Sequence, residues 1–281
     1  MGNNIIWLAS YPKSGNTWMR SILSSLVFSQ GKKFEFELLK NITEFDIPFY
    51  YQFLLKNNNN DFNYLNNIET ISKYWIEAQE HFNLSNQTKF FKTHSSNISY
   101  MDKNYTNEKN TKGVIYLVRD PRDVIISYSI HLNKKIDDVI DIIQKENTIT
   151  YSHKGNLPIL LSRWDYHVIS WFNLKVPKIF IKYEHLLENT KGVVGQLIQF
   201  LNKEMNYDLD IKENVIDNII QNTSFDNLQQ KERIGGFPEA SKNSRFFRSG
   251  KKKQWENILD KVQQQKIIQS FKTPMEKFEY I

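Results

Sequence analysis

The segment from Ser10 to Trp18, Ser-Tyr-Pro-Lys-Ser-Gly-Asn-Thr-Trp, brings a lysine, hydroxyl side chains and a glycine together directly after a short apolar run. This order predicts a buried strand, a tight loop and then a helix. The first N–H groups of a helix, with a cation beside them, form a binding site for an anion such as phosphate. Because Lys13 precedes Gly15, the loop differs from the common nucleotide-binding pattern G-x-x-x-x-G-K-[ST]. The sequence therefore predicts a phosphate-binding loop that is not that of an ordinary ATPase or GTPase.

A second group of chemically useful residues follows the apolar run at 113–118. Arg119 ends this predicted strand, and an Asp-Pro pair after it favours the start of a helix. Ser127 lies two helical turns further on, so we expect both side chains to face the carboxyl edge of a parallel sheet, where ligands bind in open α/β folds. A guanidinium and a hydroxyl suit a phosphate. An ion pair of Arg119 with Asp120 or Asp123 is the alternative interpretation.

The tripeptide Lys92-Thr93-His94 comes at the end of another predicted strand, at 89–93. A histidine at the end of a strand that borders a cleft is well placed to act as a general base. Histidines in such positions are more often structural or on the surface, so the residue type alone leaves both interpretations open.

The fourth group lies near the C-terminus, where Phe-Phe-Arg-Ser-Gly at 246–250 precedes three lysines and Trp255. Arg248 offers a cation, and a glycine such as Gly250 allows the backbone to approach a ligand closely. The alternative interpretation is a basic loop before a helix.

Together these four groups resemble the sulfotransferases that use 3′-phosphoadenosine 5′-phosphosulfate (PAPS). The Tyr-Pro-Lys-Ser-Gly run at 11–15, with the Thr-Trp pair that follows, is similar to the family's 5′-phosphosulfate loop. Arg119 and Ser127 correspond to its 3′-phosphate site. The Lys-Thr-His at 92–94 matches the tripeptide that holds its catalytic base, and 246–250 resembles its Arg-Lys-Gly motif.

The sequence also departs from the family pattern at several positions. Asn16 stands where the family often has threonine, and Ser95 and Ser96 stand where Leu-Pro often follows the tripeptide. Ser249 replaces the usual lysine, which removes one cation unless Lys251 or a neighbouring lysine substitutes for it. The wall beside the acceptor and the charge around the 3′-phosphate are therefore expected to differ from the family pattern.

The resemblance implies roles for individual residues. His94 would be the general base, with Lys13 and Lys92 as catalytic cations and no metal ion. The residues implied to bind PAPS are Lys13, Ser14, Gly15, Asn16, Thr17, Trp18, Arg119, Ser127, Tyr183, Thr223, Phe225, Phe246, Arg248, Ser249 and Gly250. The product would be adenosine 3′,5′-bisphosphate (PAP), and the acceptor a small molecule with a hydroxyl or amine: an alcohol, a phenol or an amine, such as a secondary metabolite.

The elements that must position these residues alternate between strands and helices, which predicts an α/β fold with a parallel sheet. The resemblance narrows this to a P-loop-kinase-like three-layer fold, in which helices flank a central parallel β-sheet. Predicted strands are 4–10, 89–93, 113–118 and 177–181. Predicted helices run to about Ser29, over 68–81, from Pro121, over 157–172, around 194–201 and over 255–262.

We expect one domain spanning 1–281, with 41–88 as an insertion or lid on the acceptor side. Aromatic residues from Phe45 to Phe53 favour a partly apolar pocket there, although they suit a core equally well. The run Asn57–Asn60 predicts a surface loop.

Composition restricts the classes further. The chain has 40% apolar residues and 19 phenylalanines, enough for a large core, but it has no run of about 18 apolar residues that would span a membrane. It has no cysteine, and its first predicted strand begins near residue 4, so we expect a soluble, cytoplasmic protein without a signal peptide. The net charge of +6 fits an anionic small ligand better than nucleic acid, and an ordinary, moderately basic surface is the alternative interpretation.

Two other functions remain open from the sequence. A P-loop kinase for a small molecule would need a carboxylate to hold Mg²⁺, for which Asp120 and Asp123 are the candidates. A basic RNA-binding module is the non-enzymatic alternative, although Lys251–Lys253 lacks the interleaved aromatic residues of a single-strand platform. A monomer and a homodimer are equally compatible with the sequence.

Overall fold

A central sheet of five parallel strands organises the computed structural model, which describes residues 2–55, 62–151, 155–240 and 245–281. Its strands are β1 (Ile5–Ser10), β2 (Thr43–Glu44), β3 (Lys89–Thr93), β6 (Thr111–Val118) and β9 (Lys178–Lys182), in the spatial order β2-β3-β1-β6-β9. Two antiparallel hairpins accompany the sheet and consist of β4 (Ser99–Tyr100) with β5 (Lys103–Asn104), and β7 (Ile149–Tyr151) with β8 (Pro158–Leu160). The predicted α/β fold with a parallel sheet is confirmed.

Helices cover both faces of the sheet. The α-helices are α1 (Asn16–Ser24), α2 (Gln52–Leu55), α3 (Ile68–Ile71), α4 (Trp75–Asn83), α5 (Pro121–Leu132), α6 (Ile136–Gln144), α7 (Trp164–Asn173), α8 (Tyr183–Glu188), α9 (Thr190–Met205), α10 (Glu213–Asn222), α11 (Phe225–Gly235), α12 (Trp255–Ile258) and α13 (Lys261–Lys277). A π turn at Ser25–Ser29 extends α1, and 3₁₀ turns lie at Phe36–Asn41, Pro48–Tyr51, Phe62–Leu65 and Ser72–Tyr74.

The central strand β1 shows why the apolar runs become strands of this sheet. Its side chains alternate between two hydrophobic clusters, with Ile5, Trp7 and Ala9 in one and Ile6 and Leu8 in the other. Every residue of β1 is buried, because helices cover both faces of a parallel sheet. The two clusters form the apolar layers that join the sheet to the helices on either side.

The predicted helix over 157–172 is wrong in its first half. Residues 158–160 form β8, which pairs with β7, and the helix begins only at Trp164. Ser162 has a φ of 58°, a left-handed conformation that interrupts a right-handed helix. The apolar positions of 157–161 are buried as expected, but in a strand whose side chains also reach the core.

Two other predicted helices are broken into shorter pieces. The helix expected over 68–81 consists of α3 and α4 with a 3₁₀ turn between them, and it continues to Asn83. The helix expected over 255–262 ends at Ile258, because Leu259 is extended and Asp260 begins a new helix. Asp260 and Gln263 form a reciprocal capping box there, a strong signal for a helix start.

The segment 41–88 adds the edge strand β2 and the helices α2 to α4. Phe45 and Tyr51 are buried in the core, whereas Phe49 is 63% exposed. The predicted surface loop Asn57–Asn60 lies outside the described residues. In the described part of the chain, no helix is both long and apolar enough to cross a bilayer.

Candidate active site

The carboxyl ends of four adjacent strands meet at one edge of the sheet and open into a cleft. The loop with Lys13 follows β1, His94 follows β3, Arg119 follows β6, and Tyr183 follows β9. The segment at 246–250 closes the cleft from the opposite side. The sheet topology therefore brings together three of the four groups that the sequence singled out, and the segment at 246–250 adds the fourth.

The loop after β1 has the backbone geometry of an anion-binding turn. Lys13 and Gly15 both have positive φ angles, of 67° and 94°, so the chain turns sharply before α1 begins at Asn16. A Cβ atom at Gly15 would lie 2.6 Å from the ring of Tyr183, so only glycine fits against that ring. The first N–H groups of an α-helix have no partner within the helix, and Asn16, Thr17 and Trp18 at the start of α1 line the cleft. The buried hydroxyl of Ser14 also has no hydrogen-bond partner in the structure.

Aromatic side chains line the cleft at the start of α1. The rings of Tyr183 and Phe225 meet the Trp18 ring edge to face at centroid distances of 6.1 and 6.3 Å. Trp18 Nε1 donates a hydrogen bond of 2.8 Å to the carbonyl oxygen of Thr223, which fixes the indole. These rings offer faces on which a purine can stack.

Arg119 is held by several contacts at the floor of the cleft. Its Nη1 and Nη2 donate to the carbonyl oxygens of Lys13 and Lys251 at 2.9 and 3.0 Å, and its guanidinium lies over the Tyr183 ring at 4.2 Å. The ion pair left open by the sequence is present with Asp123, at 3.8 Å. Arg119 Nε is buried and makes no hydrogen bond in the described structure.

Asp123, in the first turn of α5, holds the C-terminal segment against that helix. Its carboxylate accepts the backbone N–H groups of Lys253 and Trp255 at 2.7 and 3.2 Å. Gly250 lies just before this anchor with a φ of 60°, and a Cβ there would be 2.7 Å from the Phe225 ring. The segment with Arg248 is thereby tied down close to Arg119.

Three cations face one another in this cleft. Burial, followed by the nearby charges of Arg119 and Arg248, lowers the pKa of Lys13 to about 8. Burial and the charge of Arg119 also lower the pKa of Arg248. Like charges disfavour their protonated forms, so the arrangement costs free energy in the absence of an anion. A bound polyanion would offset the repulsion between the three cations and stabilise their protonated forms.

His94 projects into the same cleft from the end of β3. Its Nδ1 lies 2.7 Å from the carbonyl oxygen of Ser10, which can only accept a hydrogen bond. The neutral imidazole therefore carries its hydrogen on Nδ1, and Nε2 is the basic nitrogen. Asn16 Nδ2 donates to the Ser10 hydroxyl at 3.1 Å and so connects the end of β1 to the start of α1.

Lys92 is buried beside two carboxylates. Its Nζ lies 3.6 Å from Glu239 and 3.8 Å from Glu44. Glu239 also pairs with Arg20 of α1 at 2.7 Å, so it connects the loop after α11 to two parts of the cleft wall. These contacts hold the Lys92 ammonium group at the cleft.

Most of the sequence-predicted residues line this cleft, but two do not. Ser14 is buried beneath the loop, and the Thr223 hydroxyl bonds to the Ile219 carbonyl oxygen at 2.7 Å. Lining residues that the sequence reasoning missed include Pro12, Tyr128, His131, Leu132, Thr150, Tyr151, Ile159, Glu239, Phe247 and Gln254. His131 could have been found from the face of α5 that it shares with Ser127, four residues earlier, whereas Glu239 carries no local signal.

Comparison with protein-family models identifies a sulfotransferase domain over residues 3–279. Among curated proteins, the chain is 27% identical to sulfotransferase 1B1 of dog (Canis lupus familiaris), a match that covers 96% of this chain and 83% of that protein. It is 24% identical to cytosolic sulfotransferase 5 of Arabidopsis thaliana, with 93% and 76% covered. It is 25% identical to flavonol 4'-sulfotransferase of Flaveria chlorifolia, and this match also covers 93% of this chain and 76% of that protein.

Solved structures show the same fold. Retinol dehydratase in complex with androsterone and the inactive cofactor PAP superimposes with a TM-score of 0.62 at 18% identity, covering 98% of this chain and 81% of that chain. Mouse sulfotransferase SULT7A1 complexed with PAP gives a TM-score of 0.57 at 18% identity, with 98% and 86% covered. Because the family model spans nearly the whole chain, this protein belongs to the sulfotransferase family, as its four sequence motifs predicted.

Proposed function

We propose that this enzyme transfers the sulfuryl group of PAPS to a hydroxyl or amine of a small molecule, with His94 as the general base. The observation that carries the proposal is the meeting of Lys13, Arg119 and Arg248 in one cleft with the basic nitrogen of His94. Three mutually repelling cations favour a ligand with several phosphate or sulfate groups, and a base beside them suits transfer to a protic acceptor.

The donors in the cleft fit PAPS in three places. The N-terminus of α1 and Lys13 suit the 5′-phosphosulfate, since helix N-termini bind anions. Arg119 and Arg248, with Ser127 and the Gly250 backbone, suit the 3′-phosphate. The rings around Trp18 suit the adenine. When bound, PAPS supplies an activated sulfuryl group on a phosphate leaving group.

His94 would accept the proton of the acceptor group on Nε2 as the acceptor atom bonds to sulfur and the bond from sulfur to the phosphate oxygen breaks. The hydrogen bond from Nδ1 to the Ser10 carbonyl oxygen orients the ring and stabilises the imidazolium that forms. Lys13 would neutralise the charge that develops on the departing phosphate oxygen, and Lys92 would assist from the acceptor side. Such preorganised groups contribute about 10²–10³-fold each.

The kinase alternative receives no support from the carboxylates. Asp120 forms a 2.7 Å ion pair with Arg122 and caps α5, and Asp123 holds the N–H groups of Lys253 and Trp255. Both are occupied with the protein's own groups. The matched family is also that of sulfotransferases rather than kinases.

The acceptor would occupy the end of the cleft beside His94. Tyr128, Leu132, Tyr151 and Ile159 line the cleft and give it a partly apolar, partly aromatic wall that suits a small organic acceptor. Relatives named for flavonol and hydroxysteroid acceptors have ring systems as substrates, which is compatible with such a wall. Nitrophenol, cyclohexanol and benzylamine represent the phenol, alcohol and amine classes and form an acceptor panel for assays.

We also propose a cytoplasmic location, because a relative is named as cytosolic.

Thermal unfolding with nucleotides tests the proposed co-substrate site. PAP at 100 times its Kd should add about 2.7 kcal/mol to the free energy of unfolding. For a chain of this size that corresponds to roughly 5–10 °C in Tm. ADP lacks the 3′-phosphate and should give a much smaller shift at the same concentration, with or without Mg²⁺. A larger shift with ATP and Mg²⁺ than with PAP would contradict the proposal.

The lowered pKa of Lys13 predicts a pH dependence of PAP binding. Below pH 8 the Lys13 side chain is a cation, and above it the free protein loses this charge. The affinity for PAP should therefore fall above pH 8, by up to about tenfold per pH unit, because the phosphates are already ionised there. Calorimetric titration between pH 7 and pH 9.5 measures this.

The matched variant is Lys13→Arg, whose guanidinium stays protonated throughout this range. Its affinity for PAP should change little with pH. An equally steep loss of affinity in Lys13→Arg would assign the titration to another group.

A further inference from the structure

A buried histidine, His167 of α7, lies directly behind His94 and has no exposed surface. Its Nε2 is 3.0 Å from the carbonyl oxygen of His94, and its Nδ1 is 2.7 Å from the hydroxyl of Tyr116. Because a carbonyl oxygen only accepts, Nε2 carries the hydrogen, and Nδ1 accepts from the tyrosine. Burial lowers the pKa of His167 to about 4, so near neutral pH the ring is uncharged and this single arrangement of donors holds.

His167 connects three elements that carry the proposed chemistry. Tyr116 belongs to β6, the strand that Arg119 directly follows. The ring of Tyr11, the first residue after β1, meets the His167 ring edge to face at 5.4 Å. Tyr11 is in turn adjacent to Ser10, whose carbonyl oxygen accepts from the His94 ring.

Hydrogen bonds therefore hold both the ring and the main chain of His94. One hydrogen bond fixes its ring through Nδ1 to Ser10, and the other fixes its main chain through the carbonyl oxygen to His167. If the second bond is lost, the peptide after His94 keeps the hydrogen bond from the Ser95 N–H to the Thr93 hydroxyl, at 2.9 Å, but its carbonyl oxygen is no longer held by His167. The direction of the ring toward the acceptor then changes even though Ser10 is intact.

We propose that His167 is a positioning residue for sulfuryl transfer, which acts by holding the main chain of His94 so that Nε2 is aimed at the acceptor. The inference rests on the proposed role of His94 as the base. It assigns a reaction-related task to a side chain that touches neither PAPS nor the acceptor.

The variant His167→Phe keeps the ring volume but removes both polar atoms. It leaves the buried Tyr116 hydroxyl without an acceptor, a loss that can destabilise the fold. The double variant Tyr116→Phe with His167→Phe removes that hydroxyl as well, so no tyrosine hydroxyl is left there without an acceptor. In both, kcat with PAPS and the most active member of the acceptor panel should fall by up to about 10²-fold, the expected cost of a small misplacement. The Kd for PAP should stay unchanged.

A conservative variant and a matched control separate positioning from general stability. His167→Gln retains an amide donor that can reach the His94 carbonyl oxygen and should restore much of kcat. Asn83 is another buried polar residue, whose amide bonds to Asn4 and Asn110 at the opposite edge of the sheet. Asn83→Leu should lower the unfolding temperature without lowering kcat measured below that temperature.

Combination with His94→Ala gives the sharpest readout. If His167 acts through His94, adding His167→Phe to His94→Ala should cause no further loss of the residual transfer rate. A further loss of the same size as in the wild type would show a general structural role and overturn the proposal. A wild-type kcat in His167→Phe would also overturn it. Full activity of His94→Ala alone would instead refute the proposed base.

Discussion

His94→Ala should lower the rate of sulfuryl transfer by about 10²–10⁴-fold, the usual contribution of a positioned general base. The reason is that the hydrogen on His94 Nδ1 bonds to the Ser10 carbonyl oxygen, so Nε2 is the basic nitrogen of the neutral ring and would take the acceptor's proton. The alanine variant should still bind PAP with wild-type affinity, because the phosphate-facing groups after β1 and β6 are untouched. Initial rates with PAPS and the acceptor panel, together with calorimetric titration of PAP, measure both quantities.

A control histidine lies on α8. His185 is exposed and lies outside the cleft lining, so His185→Ala should leave the rate unchanged. If His94→Ala kept wild-type activity, the base would have to be another group. If it lost PAP binding as well as activity, His94 would be a structural part of the nucleotide site instead.

Arg119→Lys should remove most of the preference for PAP over ADP. The lysine keeps a positive charge but loses the planar fork that now reaches the Lys13 and Lys251 carbonyl oxygens and stacks on Tyr183. Charge-assisted hydrogen bonds contribute about 1.5–3 kcal/mol, so PAP affinity should fall by about 10- to 100-fold. ADP affinity should change little, because ADP has no 3′-phosphate.

Arg122, three residues further on in the first turn of α5, provides the matched control. It is as buried as Arg119 but pairs with Asp120 and the Tyr280 carbonyl oxygen, and it stacks on Trp255. Arg122→Lys should cost stability without changing the ratio of PAP to ADP affinity. An equal loss for both nucleotides in Arg119→Lys would mean that Arg119 supports the loop rather than the 3′-phosphate.

The strand ends of the site could be predicted from the sequence because their signals are local. The apolar runs of β1 and β6 are buried on both faces, and each is followed at once by its polar group, so a parallel sheet brings Lys13 and Arg119 to one edge. The Asp-Pro start of α5 also gave the correct helix boundary, with Asp120 accepting from the Arg122 N–H.

The errors fall where tertiary contacts decide between two patterns that the sequence allows. Leu157 and Leu161 fit a helical stripe, but the Leu157 N–H donates to the Asp46 carbonyl oxygen and Ser96 bonds to Leu160, which favours the extended form. Neither partner is near in sequence. The strand β8 therefore could not be read from the spacing of its apolar residues.

Two of the more informative side chains were also beyond sequence reasoning. Glu239 gains its position from Arg20, 219 residues earlier, and no local motif marks it. His167 lies within the helix predicted over 157–172, and nothing in its local sequence assigns it a task. Only the distances to His94 and Tyr116 show that its two ring nitrogens are both engaged.

The most direct measurement compares group transfer from two labelled donors in parallel. PAPS labelled at sulfur and ATP labelled at the γ-phosphate, the latter with Mg²⁺, are each offered to the wild-type enzyme with the acceptor panel. We expect label from PAPS in an organic product, with one PAP formed for each product molecule and strong loss in His94→Ala, and no transfer from ATP. Transfer from ATP, or no labelled product from PAPS with any acceptor, would contradict the proposed reaction.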